Sequence, residues 1–172
     1  EMFFLMDLVD GTDLQTWMDD ERLYAGTAQE QEQRLTFIAH QLACALQHLH
    51  KLGILHEDVK PDNVLMTADG SPVLADVGVG SQGIFNGTVV TAVLRGGTPV
   101  YASPRVRNIF FEAKSLPVTE RMAFLEANKI THGDDFFALG ATIFDMFAEC
   151  GWREGRIRHA AARKGGGGGG AR

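Results

Sequence analysis

Cysteine, proline and positive charge are all scarce in this chain, and each scarcity excludes something. Two cysteines among 172 residues, Cys44 and Cys150, build no disulfide framework and suit a reducing compartment, so we expect an intracellular setting, cytoplasmic or nuclear. A formal net charge of −6 excludes nucleic-acid binding that rests on general basicity. Long hydrophobic runs are missing too. The longest, Phe136 to Phe144, lies between two aspartates and falls far short of the ~20 apolar residues a membrane-spanning helix needs. What remains is ordinary globular material, 45% hydrophobic and 22% charged, enough for one domain with a core or for part of a larger one.

Residues 2 to 9 are apolar apart from Asp7 and run into Asp10-Gly11, which reads as a buried strand ended by a turn. Glu1 opens directly on that run, so we expect the natural chain to begin upstream. Leu14, Trp17 and Met18 fit a short amphipathic helix. From about Ala28 to Lys51, Leu35, Ile38, Leu42, Ala45, Leu46 and Leu49 form one stripe, the pattern of a helix with one buried face, and Gly53 is placed to cap it. Short apolar segments at Ile54-Leu55, Val64 to Met66 and Val73 to Ala75 read as small strands. Residues 79 to 97 carry five glycines and read as a loop. Pro117 precedes a surface helix over Thr119 to Lys129. A further helix, about Asp135 to Glu149, has Phe136, Phe137, Leu139, Ile143, Phe144, Met146 and Phe147 around its axis and is expected to be buried on nearly all sides. The tail, 153 to 172, is basic, ends in a run of glycines and reads as disordered.

The chemistry is concentrated in His56-Glu57-Asp58-Val59-Lys60-Pro61-Asp62-Asn63, followed at a distance by Asp76-Val77-Gly78. Phosphoryl transfer asks a protein for a base, a cation beside the moving phosphoryl and hard oxygen ligands for Mg²⁺. Asp58 suits the first task, Lys60 the second, and Asn63 with Asp76 the third. His56 reads as a buttress of the loop. His40, Cys44 and His48 are spaced four apart, but without a fourth ligand they read as a solvated helix face.

This order and spacing resembles the catalytic and metal-binding loops of eukaryotic protein kinases of the Ser/Thr type. Three other segments extend the resemblance over roughly residues 3 to 149, with a poor match in 105 to 132. Gly97 to Pro104 looks like the end of an activation segment, which implies that Thr98 bridges Asp58 and Lys60. Asp135 to Gly140 looks like the start of the central helix of the larger lobe, its Asp bonded to the catalytic-loop backbone. Phe4 to Val9 looks like the last strand of the smaller lobe and the hinge. That mapping implies Met6 as gatekeeper, backbone groups of Asp7 and Val9 offered to adenine, Asp13 in reach of the ribose, and Leu65 as the apolar floor.

The resemblance therefore implies an α+β fold, a kinase C-lobe that is mainly helical with short β-hairpins carrying the two acidic loops. It divides the chain into a partial kinase domain over 1 to 152 and the tail. It further implies ATP and Mg²⁺ as cofactors, a protein Ser/Thr hydroxyl as substrate, and an N-lobe lying outside these residues, so that the chain by itself is an inactive fragment. Departures from the pattern keep two alternatives open. Glu57 stands where an Arg receives an activation-loop phosphate, which a carboxylate would repel, so Thr98 is better read as structural than as a phosphoacceptor. Val77 replaces a Phe, and Ser103-Pro104-Arg105 replaces Ala-Pro-Glu. These favour a pseudokinase or scaffold. A small-molecule phosphotransferase shares a His-x-Asp…Asn loop, but Lys60 and the segment 98 to 104 favour protein substrates.

Overall fold

The computed structural model describes residues 8–77 and 100–165, of which 149–165 as helical backbone. The expected strand before Val9, with Asp7, and the glycine-rich loop, with Gly78 and Thr98, lie outside the described residues. Mostly helical and with one small antiparallel sheet, the chain has the α+β architecture expected.

Strand β1 (Gly11–Asp13) runs straight into helix α1 (Leu14–Asp19). The join is made by Asp13, whose carboxylate accepts the Thr16 amide at 2.7 Å and the Thr16 hydroxyl at 2.9 Å, an N-cap that satisfies otherwise orphaned helix donors. Gly11 is not the turn expected of Asp10-Gly11. It lies in the strand, opposite Thr67, and a Cβ there would strike the Met66 carbonyl. The missing side chain serves close backbone approach.

Helix α2 (Ala28–Lys51) begins at a capping box. Thr27 accepts from the Glu30 amide at 3.3 Å while the Glu30 carboxylate takes the Thr27 amide at 2.7 Å. It ends as Gly53 predicts: Gly53, at φ +74°, donates to His50 and Ile54 donates to Leu49, both at 3.0 Å, the pairing of a Schellman cap. That cap corrects the expected strand at Ile54-Leu55, because the Ile54 amide is used up in closing the helix.

After the site loop come β2 (Val64–Thr67) and β3 (Pro72–Leu74), joined at Asp69-Gly70. The sheet order is β1-β2-β3, antiparallel throughout, with Asp13 opposite Leu65 and Leu65 opposite Val73. Two helices, α3 (Pro104–Ser115) and α4 (Val118–Ala127), occupy the region where the family resemblance is poor. The second is the expected surface helix. The first was not legible as a helix, although Ser103 caps it and Pro104 sits at its first position, the favoured place for proline.

The last helix, α5 (His132–Gly165), packs against α2. Its inner face, with Ala138, Leu139 and Met146, joins Leu35, Ile38, Leu42 and Leu46 of α2, Leu14 and Met18 of α1, and Val64 and Met66 of β2 in one core. A second, smaller core joins Val106, Ile109, Phe110 and Ala113 of α3 to Leu125 of α4. The expectation that α5 is buried all round is overturned. Phe136, Phe137, Phe144 and Phe147 are 51, 40, 74 and 40% exposed. A helix is buried only where a partner covers it, and the described residues cover one side of α5. The helix also continues past Arg153, where a disordered tail was expected. Alanine and arginine are good helix formers. Among the described residues, no helix is long and apolar enough to cross a membrane.

This one-sided burial separates two truncations. Leu46, fully buried, should lose about 2–5 kcal/mol of stability on Leu46→Ala. Phe144→Ala, on the open face, should stay within about 0.5 kcal/mol. Urea unfolding of the two variants checks both, and equal losses would place a partner on the outer face.

Candidate active site

The loop after α2 is held from beneath by one carboxylate. Asp135, in the first turn of α5 and 1% exposed, accepts the backbone amides of His56 and Glu57, each at 2.8 Å, and His50 Nε2 at 2.8 Å. His50 comes from the last turn of α2, so three separate parts of the chain converge on two oxygens. A buried carboxylate requires such donors, because it costs several kcal/mol to strip one of water unpaired. The expected bond from Asp135 to the loop backbone is thus present. His50 was not foreseen; its place in the last turn of a helix leading into the loop was the available signal.

His56 transmits the constraint. It is fully buried; its Nδ1 accepts the Asp58 amide at 3.3 Å and its Nε2 donates to the Ala75 carbonyl at 2.9 Å. Accepting on one nitrogen and donating on the other makes the ring neutral, with the proton on Nε2. Burial pushes its pKa below the ordinary value, against the opposing pull of the Ala75 carbonyl and the Asp135 and Asp58 charges. Ala75 in turn donates its amide to the Asn63 carbonyl at 2.9 Å. The residue before Asp76 is therefore clamped from both sides, by His56 and by Asn63.

Asp58, Lys60 and Asn63 are brought into direct contact. Lys60 Nζ donates to Asp58 Oδ2 at 2.8 Å, and Asn63 Nδ2 donates to the same oxygen at 2.9 Å and to the Asp58 carbonyl at 2.8 Å. Pro61 starts the single turn of 3₁₀ helix, Pro61–Asn63, that folds Asn63 back onto Asp58. With both donors on Oδ2, Oδ1 of Asp58 faces no donor among the described residues and is available to accept a proton. Asn63, 7% exposed, spends its amide hydrogens inward, which leaves its carbonyl oxygen as a ligand. Asp76 is exposed and sits at φ +55°, a left-handed conformation that Asp tolerates; its carboxylate has no partner among the described residues. Two hard oxygens from Asn63 and Asp76 fit Mg²⁺, which completes its shell with water and phosphate.

The residues that the resemblance assigns to a nucleotide are less fully gathered. Leu65 sits in the middle of the sheet, half-buried, beside Asp13. Both oxygens of the Asp13 carboxylate already accept hydrogen bonds in the cap of α1, and although burial pulls the other way, these bonds hold its pKa below the usual range. Val9 is half-buried in irregular backbone.

On the other side of Asp58 lies a cleft of about 200 Å³, lined among others by Lys60, Tyr101, Ser103, Val106 and Ala138. Tyr101 donates to Asp145 at 2.7 Å, and burial together with that carboxylate pushes its phenol pKa well up. Glu57, at φ +67°, also lines the cleft. A non-glycine residue held there costs about 1–3 kcal/mol. Its pKa is raised, by burial first and by the nearby Asp135 charge second.

The family model described as protein kinase domain matches residues 1–159. Among curated relatives, protein kinase C epsilon type of Rattus norvegicus is 31% identical over 147 residues, 86% of this chain and 16% of the relative. Serine/threonine-protein kinase sck1 of Schizosaccharomyces pombe is 31% identical over 153 residues, 88% of this chain and 18% of the relative. Protein kinase C eta type of Homo sapiens is 38% identical over 105 residues, 61% and 14% respectively. The chain spans about a sixth of the length of the relatives it matches.

Two groups of the loop shift in opposite directions and should be separable by pH. His56, depressed in the fold, loses stability as pH falls below its ordinary value near 6.5. Glu57, raised in the fold, gains stability as pH falls toward the usual carboxylate range. Between pH 7 and 5, Glu57→Gln should therefore lose stability on acidification more steeply than the wild type. Thermal unfolding across that range checks the sign, and a shallower slope would contradict it.

Proposed function

This chain belongs to the eukaryotic protein kinase superfamily, Ser/Thr type, and from that membership we propose that its site transfers the γ-phosphoryl group of ATP to a protein serine or threonine hydroxyl. The single observation that carries the proposal is the contact set of Asp58, Lys60 and Asn63 on one oxygen. Asp58 Oδ1 receives or orients the proton of the attacking hydroxyl, which enters from the cleft. Lys60, anchored to Oδ2, keeps an ammonium beside the transferring phosphoryl and offsets the charge on its oxygens. Asn63 and Asp76 would hold Mg²⁺, which would neutralise charge on the phosphates of ATP. Leu65 would form the apolar floor for adenine and Val9 would offer it backbone groups; Asp7, outside the described residues, is assigned the same role as Val9, and Thr98, also outside them, is assigned the bridge between Asp58 and Lys60.

The phosphates need cationic cover from a second side, which none of the described residues provides. We assign that cover to an N-lobe outside these residues, so these residues alone are proposed to transfer little or nothing.

A scaffold without transfer is the second reading, favoured by the charge changes at Glu57 and Arg105. One of these has a local remedy. Arg105 is paired with Asp134 within this chain, so its departure from the family pattern does not by itself weigh against transfer.

In the protein carrying its nucleotide-covering lobe, Asp58→Asn should lower Mg²⁺-ATP-dependent phosphorylation of a Ser/Thr peptide by about a hundredfold or more. Asp76→Ala should in addition weaken Mg²⁺-nucleotide binding. Turnover unchanged in Asp58→Asn would remove that residue as the base, and absence of turnover in the unaltered protein would favour the scaffold.

A further inference from the structure

Two neighbouring carboxylates open helix α5, and they grip opposite walls of the cleft beside Asp58. Successive positions on a helix point ~100° apart, so adjacent side chains serve different neighbours. Asp135 takes the loop wall through the His56 and Glu57 amides. Asp134, 8% exposed, takes the other wall. It accepts the Ser103 hydroxyl at 2.7 Å, Arg105 Nε at 3.3 Å and a second guanidinium nitrogen of Arg105. It also accepts the Thr131 amide at 2.9 Å and hydroxyl at 2.8 Å.

Both partners on the far wall are themselves committed. Arg105 donates to the Lys129 carbonyl at 3.0 Å, and Ser103 accepts the Val106 amide at 3.1 Å, the cap of α3. The wall is bound to α5 through two residues, Ser103 and Arg105, both on Asp134. The first turn of α5 is the positive end of its dipole, which favours both charges.

We propose that Asp134 is a positioning residue: through Ser103 and Arg105 it fixes the wall of residues 100–106 relative to Asp58, so that Asp134 and Asp135 together set the width of the cleft that receives the hydroxyl-bearing substrate. The substrate part of this assignment rests on the phosphotransfer reading; the grip on the wall does not. Arg105 stands where the resemblance places a Glu, and its carboxylate partner among the described residues is Asp134.

Amide hydrogen exchange on the full chain tests the grip without any need for turnover. Asp134→Asn, nearly isosteric, should speed exchange at Val106 and Arg107 by about tenfold while His56 and Glu57 stay within about twofold. Asp135→Asn should give the mirror pattern. Arg105→Lys should retain most of the protection that Arg105→Ala loses, and this pair carries the test if Asp134→Asn does not fold. General destabilisation would loosen both walls together; that result, or no change at either wall, overturns the proposal. Binding of a fluorescent serine peptide tests the substrate part. Asp134→Asn should weaken it about tenfold with Mg²⁺-nucleotide affinity unchanged, and equal peptide affinity would overturn the role in substrate positioning. If the two variants show these opposite patterns but the wild-type chain binds no peptide, the phosphotransfer reading fails and the grip stands.

Discussion

The Asp135 carboxylate is the point on which the site depends. It is almost wholly out of water, so each of its hydrogen bonds is charge-assisted and unscreened. Three donors reach it, from the end of α2 and from two consecutive amides of the site loop. Once those amides are fixed, His56 is fixed, and with it the Asp58 amide on one ring nitrogen and the Ala75 carbonyl on the other. Asp58 and Ala75, the residue preceding Asp76, are thereby referred to one buried charge. Breaking such a centre by removing one partner typically costs about 3–5 kcal/mol, which is a large share of a domain's stability.

The two inverted charges around this centre have different fates. Arg105 is matched: Asp134 receives it, and although burial alone would raise the Asp134 pKa, Arg105, Ser103 and Thr131 together hold it down at about 2. That carboxylate is therefore ionised at neutral pH, and the anchor with Arg105 is an ion pair there. Glu57 is unmatched. It carries a strained backbone, a raised pKa and no cation to pair with among the described residues. Where the family pattern places a positive charge able to take a phosphate, this loop presents a negative one. A phosphate close by would meet repulsion.

The grouping of the site residues was legible because it is local. Asp58, Lys60, Pro61 and Asn63 fall within six residues, and a proline-started turn leaves little choice but to fold Asn63 back on Asp58. The α2 stripe was legible for a similar reason: a 3.6-residue period needs only a single flat partner, and Leu35, Ile38, Leu42 and Leu46 all found it. Even the missed capping box at Thr27 and Glu30 and the start of α3 at Ser103-Pro104 were written in short-range signals.

The other errors share a cause, which is that burial and close approach are properties of pairs of elements. Gly11 reads as a turn until β2 is laid beside it and the Met66 carbonyl takes the space of the absent Cβ. Seven large apolar residues around α5 read as a helix buried on all sides, yet only tertiary contacts decide which side has a partner, and its four phenylalanines stay well exposed. Asp134 and Asp135 look alike in the sequence; their division of labour follows from the ~100° step of the helix and from what the fold places on each side. Residue order alone therefore determined the family and the mutual contacts of Asp58, Lys60 and Asn63, because these arise within a few residues of chain. Which charges pair, which aromatic face stays open and what sets the cleft were decided only when distant segments met, because those energies arise from desolvation and contact between them.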